Sequence, residues 1–302
     1  MKRGAEKSKK NPTNQKSSKE LDQYFTKPDV ALKCIELLDD LLSGSISDFN
    51  TILEPSYGDG AFVSGLRKKG IKEPKLYYID IDTQEEGHRG DFLSNSLNVS
   101  TARPFLTIGN PPFGKNSSLA IEFFNTAAKM SDVIAFILSR TFRKNSCINR
   151  LDQNFFLCFE QNLDKHSFLF EGTSYDVPCV FQVWTHSKFA ISFCNPPNIP
   201  SDKLRVIVKK LNKTTHFEFV SCEDNLDFAI RRVGVNAGRI FTESVVSRSK
   251  ESHLFVRVLR REQKEMVLER LKQLNMERLE SKYDTAGNPS ISKDEICRLY
   301  QK

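Results

Sequence analysis

A chain of 302 residues with 39% hydrophobic content is long enough for one sizeable core and a smaller module, and it is not globally disordered. No apolar run approaches a membrane span and no secretory signal leads the chain, so an intracellular protein of cytoplasm or nucleus, without membrane contact, is expected. A net charge of +7 favours a polyanionic partner, while seven scattered cysteines, never in Cys-x-x-Cys spacing, and five histidines without ligand spacing argue against a disulfide framework or a metal site.

Residues 1–20 carry seven Lys and Arg against two Glu and no aromatic residue. That predicts a disordered basic arm that holds phosphates, directs nuclear import or merely solubilises. Residues 29–42 follow with Val30, Cys34, Ile35, Leu37, Leu38 and Leu41 at helical spacing. The stretch Thr51-Ile52-Leu53-Glu54-Pro55-Ser56-Tyr57-Gly58-Asp59-Gly60-Ala61-Phe62 predicts a short strand, a glycine-bearing turn and a helix start. Gly58 and Gly60 allow positive φ and a close approach of backbone to a nucleotide-like ligand, although the third glycine of the dinucleotide fingerprint is absent. Glu54, with Pro55 and Ser56 after it, is an acid suited to an ammonium or hydroxyl group rather than a pyrophosphate. A second strand over residues 75–79 ends in Asp80-Ile81-Asp82, about 25 residues after Glu54, near the spacing of a ribose-binding acid in Rossmann-like folds. Asp80 is preferred to Asp82 because it stands at the strand end. Asp91 and Phe92 offer a carboxylate and a ring for an adenine.

Residues 104–109 predict a third strand, which ends in Asn110-Pro111-Pro112-Phe113. An exocyclic amine on adenine or cytosine is a poor nucleophile because its lone pair is delocalised into the ring. Acceptors for its two N–H groups draw it toward tetrahedral geometry and stabilise the positive charge that develops on methylation. The Asn110 side-chain oxygen and the Pro111 carbonyl are such acceptors, and the rings of Pro111 and Pro112 restrict the backbone that carries them. Phe113 offers a face on which an extruded base can stack. The bland alternative is a turn after a strand, and Asn195-Pro196-Pro197-Asn198, which lacks the aromatic and opens a polar stretch, is read as such a linker.

Ser117 or Ser118 is expected to cap a helix carrying Leu119, Ile121, Phe123, Phe124 and Ala127, and residues 132–138 predict a buried parallel strand. Arg140, Arg143 and Lys144 after it form a local basic patch for substrate. Apolar runs at 166–170 and 177–184 are read as an antiparallel hairpin at the end of the sheet. The alternation of strands and helices is α/β order. Residues 200–260 predict a small β-rich module, with strands at 204–208, 217–220 and 253–258. Within it Arg231, Arg232, Gly234 and Gly238 form either a phosphate-facing loop or a hairpin with its arginines in solvent. Residues 261–280 predict a charged helix, docked or paired with a protein partner, and a last short helix starts after Ser292. The expected division is an arm over 1–20, an α/β domain over 21–195 and a module over 200–302.

Across residues 21–186 the chain resembles the S-adenosylmethionine (SAM)-dependent N6-adenine methyltransferases, in the group whose cofactor motif precedes the catalytic one. Glu54-Pro55-Ser56-x-Gly58-x-Gly60-x-Phe62 is similar to the family's cofactor loop and Asn110-Pro111-Pro112-Phe113 to its catalytic motif. Gln23-Tyr24-Phe25-Thr26 is similar to the segment that closes over the methionine end of the cofactor. The resemblance implies a Rossmann-like methyltransferase sheet with a terminal antiparallel hairpin, SAM as cofactor, and Tyr24, Phe25 and Thr26 as further cofactor contacts. It also implies a base-pocket wall from Phe168, Phe170 or Tyr175 opposite Phe113.

The expected activity is methyl transfer to an exocyclic amine of a nucleic acid, adenine N6 in DNA first and in RNA second, without a metal. A glutamine amide on a protein is an alternative acceptor, and a non-catalytic nucleic-acid-binding partner subunit is an alternative role.

Overall fold

The computed structural model describes residues 24–42, 44–83, 88–94, 99–187, 211–221, 225–285 and 287–302. The basic arm, the second Asn-Pro-Pro at 195–197 and the expected strand at 204–208 lie outside the described residues. Strands β1 (Phe25–Thr26), β2 (Thr51–Glu54), β3 (Leu76–Tyr78), β4 (Phe105–Gly109) and β5 (Val133–Ser139) alternate with helices α1 (Pro28–Leu41), α2 (Ala61–Lys68) and α3 (Ser118–Ala128). A short α4 (Asn145–Ile148) precedes β6 (Phe155–Asn162), β7 (Phe168–Phe170), β8 (Thr173–Tyr175) and β9 (Cys179–His186). The central sheet has six strands in the order β3-β2-β4-β5-β9-β6. Its first four are mutually parallel, and β9 runs antiparallel to both β5 and β6. The result is a mixed α/β fold, mostly parallel, with an antiparallel end.

Period-two patterning explains why β5 reads as one unbroken apolar run. Val133, Ala135 and Ile137 join the core shared with α1 and α2, whereas Ile134, Phe136 and Leu138 join the core shared with α3. A strand covered on both faces needs apolar residues at every position. Helix α1 begins with Pro28 at a first-turn position, where its missing N–H has no intrahelical acceptor to lose. It buries Cys34, Ile35 and Leu38 of the expected stripe together with Ala31, while Val30, Leu37 and Leu41 are only partly buried against the same core.

Two local expectations are corrected. Cys179–His186 does join the sheet beside Val133–Ser139, but its hairpin-side partner, which forms the sheet edge, is Phe155–Asn162 rather than the run at 166–170. That run becomes β7 and pairs with β1 and β8 in a separate three-stranded sheet. The cause is a two-residue turn: Glu171 and Gly172 take φ of 48° and 74°, and Phe170 pairs directly with Thr173. Positive φ at both turn residues matches strand twist and folds β7 back at once onto β8. The second correction concerns Ser117, which precedes α3 with φ 58° and makes no side-chain cap. Its hydroxyl instead bonds Ser139 and Thr141, each at 3.1 Å.

A second sheet follows, with β10 (Phe217–Val220), β11 (Phe228–Arg231), β12 (Ile240–Phe241) and β13 (His253–Val258) in the antiparallel order β10-β13-β11-β12. Helices α5 (Lys264–Gln273) and α6 (Lys293–Gln301) cover one face, packing Val267, Leu271, Ile296 and Tyr300 on Phe228, Ile230, Leu254 and Val256. The expected helix over 261–280 is therefore shorter, because Asn275 at φ 48° ends it. Its apolar side packs on this chain's own sheet. Ser292 and Glu295 cap α6 reciprocally. No helix among the described residues is long and apolar enough to cross a membrane.

Candidate active site

Strand order locates the crevice. From β2 the chain moves to β3 on one side, then returns past β2 to β4 on the other. Where winding reverses, the loops leaving the two carboxyl ends diverge and leave room for a ligand. Glu54 ends β2, Asn110 follows β4, Asp80 follows β3, and all three line a cavity of about 520 Å³.

Asn110 is held by its amide nitrogen, which donates to the Tyr24 carbonyl at 2.9 Å. That bond leaves Oδ1 as the remaining polar atom, and Oδ1 is buried with no hydrogen-bond partner. A buried orphan acceptor costs on the order of 1–3 kcal/mol, which a ligand N–H would recover. Two more buried, unpartnered side-chain oxygens line the same cavity, Thr26 Oγ1 and Ser56 Oγ. Three such atoms around one cavity describe a site built for a polar ligand.

Glu54 is 2% exposed, and one carboxylate oxygen accepts the Val63 N–H at 3.1 Å. Burial holds its carboxyl well above the ordinary value of 4.5; the Val63 bond opposes this and the negative charge of Asp80 adds to it. A cation placed beside Glu54 would reverse the balance. Gly60, the residue that leads into α2, takes φ 74°, and a Cβ there would fall 2.6 Å from the Tyr57 hydroxyl. Only glycine combines that conformation with that contact. Asp80 accepts from the Gly58 N–H and the Asp82 N–H, each at 2.9 Å, so its carboxylate fixes the glycine turn and keeps lone pairs for a hydroxyl. Asp91 likewise accepts from Leu93 N–H at 2.9 Å, and Phe92, 2% exposed, packs on Phe123 with centroids 5.2 Å apart.

The other expected residues divide. Tyr24, Phe25 and Thr26 reach the cavity through β1, as do Pro55, Pro111, Pro112 and Phe113 through their loops. Tyr24 also stacks on Tyr175 at 5.5 Å and meets Phe170 at 5.6 Å, but neither Phe170 nor Tyr175, expected as a wall of the base pocket, is among the cavity-lining residues. Phe168 is fully buried in the core and has no face to offer a base. Arg143 is engaged internally, with Glu160 at 3.0 Å and Asp284 at 3.3 Å, and Lys144 reaches the Ser290 carbonyl at 2.8 Å. These two cations clamp the segment after β5 to the chain beyond the second sheet. Arg140, Arg231 and Arg232 are not among the cavity-lining residues. Sequence reasoning missed Tyr57, Asp59, Leu119 and Phe123, which also line it. For Leu119 and Phe123 the signal was present: they lie one helical turn apart directly after the Asn-Pro-Pro-Phe loop.

No family model matches this chain, and no curated protein matches it. Among solved structures it is similar to a candidate RNA methyltransferase from Pyrococcus horikoshii, at 18% identity and a TM-score of 0.42 over 59% of this chain and 90% of that one. A candidate class I SAM-dependent methyltransferase from Listeria monocytogenes shares 14% identity at a TM-score of 0.43, over 58% of this chain and 63% of that one. The methyltransferase subunit of a type I restriction-modification system from Streptococcus thermophilus is 11% identical at a TM-score of 0.36, over 83% of this chain and 53% of that one. These similarities concern the fold alone. Function has to be read from this chain's own residues.

The Asp80 geometry yields a first expected result. Asp80→Ala removes the acceptor that holds the Gly58 turn and a contact for a ligand hydroxyl, so affinity for SAM, the ligand that the sequence resemblance implies, should fall by about 2 kcal/mol, roughly thirtyfold. Calorimetric titration of a folded variant measures this. An unchanged Kd would remove Asp80 from the site.

Proposed function

We propose that this chain is a SAM-dependent methyltransferase acting on an exocyclic amine of a nucleic acid, with adenine N6 in DNA the first choice and adenine N6 in RNA the second. One observation carries the reading: Asn110 Oδ1, held in place through Nδ2, is an unpartnered acceptor beside a cavity that also contains an acid, a glycine turn and a second acid in cofactor-like order. In this reading residues 21–195 form the methyltransferase domain and residues 200–302 an appended module.

The residues present fit SAM. Glu54 can pair with its methionine ammonium, which offsets the desolvation of the buried carboxyl. Thr26 and Ser56 hydroxyls have free capacity for its polar atoms, and Asp80 for its ribose hydroxyls. When bound, SAM supplies an electrophilic methyl group. The chain does the remaining work. Phe113 stacks the extruded base, and Asn110 Oδ1 with the Pro111 carbonyl accepts the two N–H bonds of its amine. Both acceptors gain strength as positive charge grows on nitrogen, so they favour the transition state over the bound base.

The direct test incubates the protein with isotope-labelled SAM and total DNA, RNA and protein, then identifies the modified unit by mass spectrometry. Labelled N6-methyladenine upholds the proposal, and its source decides between DNA and RNA. Label on glutamine amides, or no binding of SAM, overturns it. Within the site, Phe113→Ala should lose stacking worth on the order of 1–3 kcal/mol, while Phe113→Trp retains a π-face and most of the activity. Equal losses in the two variants would deny Phe113 a stacking role.

A further inference from the structure

Charge along the chain is concentrated in two places. The arm over residues 1–20 holds a net +5, and residues 228–260 hold six Arg and one Lys against two Glu, again a net +5. With the whole chain at +7, all other residues together sum to −3. The second basic stretch is β11, β12, β13 and their connections, so it folds into one sheet.

That sheet has two unlike faces. One is covered by α5 and α6. The other carries a small cluster of Ala229, Val245 and Phe255 with Phe241 packed on it. Around Phe241 this second face is cationic. The Arg248 guanidinium lies 3.6 Å from the Phe241 ring centre, Arg239 lies 5.5 Å from it, and the His253 ring is 5.5 Å away edge-on. Register pairs Arg231 with His253 across β11 and β13, which puts both side chains on the same face. Among the described residues, Arg231, Arg232, Arg239 and Arg248 make no ion pair with a carboxylate, whereas Arg257 on the neighbouring strand pairs with Glu218 at 2.7 Å. Two nitrogens here are buried without hydrogen-bond partners, Arg248 Nε and His253 Nε2, and His253 is only 6% exposed. An Arg Nε–H left unsatisfied calls for an oxygen acceptor, and a phosphate is the acceptor that also answers the excess charge.

The face is fixed relative to the candidate active site. Ile291 N–H donates to the Arg232 carbonyl at 2.9 Å, and the adjacent Ser290 carbonyl accepts from Lys144 at 2.8 Å. Asn145 further bonds Asp294 at 2.7 Å. Lys144 and Asn145 follow the carboxyl end of β5, the strand beside the one that presents Asn110. The arginine-bearing loop is thus tied, through one strand segment, to the edge of the sheet where the cavity opens.

We infer that the cationic group formed by Arg231, Arg239 and Arg248 around Phe241, on the side of the second sheet away from α5 and α6, is a binding surface for the phosphodiester backbone of a nucleic acid. It rests in part on the proposed function, since it gives the polymeric substrate a second contact away from the reacting base. Backbone contact confers affinity and register without sequence choice.

The test is fluorescence anisotropy with the full chain and labelled oligonucleotides of one length, as single-stranded DNA, duplex DNA and RNA, across a salt series. Arg231→Ser combined with Arg239→Ser removes two of these cations, and an unchanged melting temperature shows that the loss of the Arg239–Phe241 contact has not disturbed the fold. Each lost phosphate contact lowers the slope of log binding constant against log salt by about one, so the double variant should lose about two and bind more weakly at low salt. Arg248→Lys, which keeps charge but loses Nε, should weaken binding with a nearly unchanged slope. The nucleic acid that shows the loss names the strand type. Unchanged slopes for all three oligonucleotides overturn the inference, as does polyglutamate binding that is equally tight and equally sensitive to the same substitutions. Because methyl transfer is not measured, the two proposals fail separately: altered slopes without a methylated base leave this surface standing, and methylation with unaltered slopes leaves only the cavity.

Discussion

Asn110→Ala is expected to lower turnover about a hundredfold, near 3 kcal/mol in the barrier, by analogy with the loss of one preorganised group facing developing charge. SAM affinity should stay near that of the parent, because the proposed function assigns the cofactor to Glu54, Ser56 and Asp80 rather than to Asn110. The size follows from geometry. Nδ2 is anchored on the Tyr24 carbonyl at 2.9 Å, so Oδ1 is aimed before substrate arrives and needs no reorganisation during the reaction. Asn110→Asp keeps an acceptor but loses the donated anchor, and an intermediate rate is expected. Asn195→Ala is the control, with turnover unchanged. Should Asn195→Ala abolish methyl transfer in a folded protein while Asn110→Ala does not, the active site is on the other Asn-Pro-Pro.

Glu54→Gln is expected to weaken SAM binding by roughly 3 kcal/mol, because it removes one partner of the buried ion pair proposed between Glu54 and the cofactor's ammonium. It should do so without unfolding the protein, since a glutamine oxygen can still accept the Val63 N–H. The sign of the pH effect provides a second check. In the free protein the Glu54 carboxyl is held well above 4.5 by burial, so protons compete with a cationic ligand for it. SAM affinity should therefore rise as pH rises through that elevated value, then level off, and the Gln variant should lack this rise. Stability runs the other way. A carboxyl whose folded value lies above its unfolded one contributes stability below the unfolded value that is lost as pH climbs toward the folded one. Without cofactor, the Gln variant should thus melt higher than the parent at neutral pH and show less difference in acid. A Gln variant with parental SAM affinity at every pH would show that Glu54 does not meet a cation.

Legibility varied with the range of the interactions concerned. Helix α1 and strands β2 to β5 could be read directly, because apolar period and punctuation by Gly and Pro are local signals. The terminal hairpin was misread even though β6 opens with the apolar run Phe155-Phe156-Leu157-Cys158-Phe159, because apolar content by itself does not say which of two preceding runs pairs with Cys179–His186. The run at 166–170 is nearer in sequence to Cys179–His186, yet a two-residue turn commits it to β8. Arg143 and Lys144 looked like a substrate patch for a related reason: sequence shows the charges, while their partners Asp284, Ser290 and Glu295 lie about 140 to 150 residues away.

By itself the sequence determined the residue types that any chemistry here must use, and their order. An acid at the end of the first sheet strand, two glycines, a second acid and an Asn-Pro-Pro-Phe loop are local features, each set by what the backbone and side chain at that position can do. Tertiary structure alone decided that they meet. Reversal of winding between β2 and β4 brings Glu54, Asp80 and Asn110 around one cavity, and Tyr24 orients the Asn110 amide from 86 positions away. It also separated two basic regions that sequence counts together, engaging Arg143 in ion pairs with carboxylates and placing Arg239 and Arg248 on the Phe241 ring. Such outcomes depend on which distant carboxylates, carbonyls and strands close on each charge, and no local period records them.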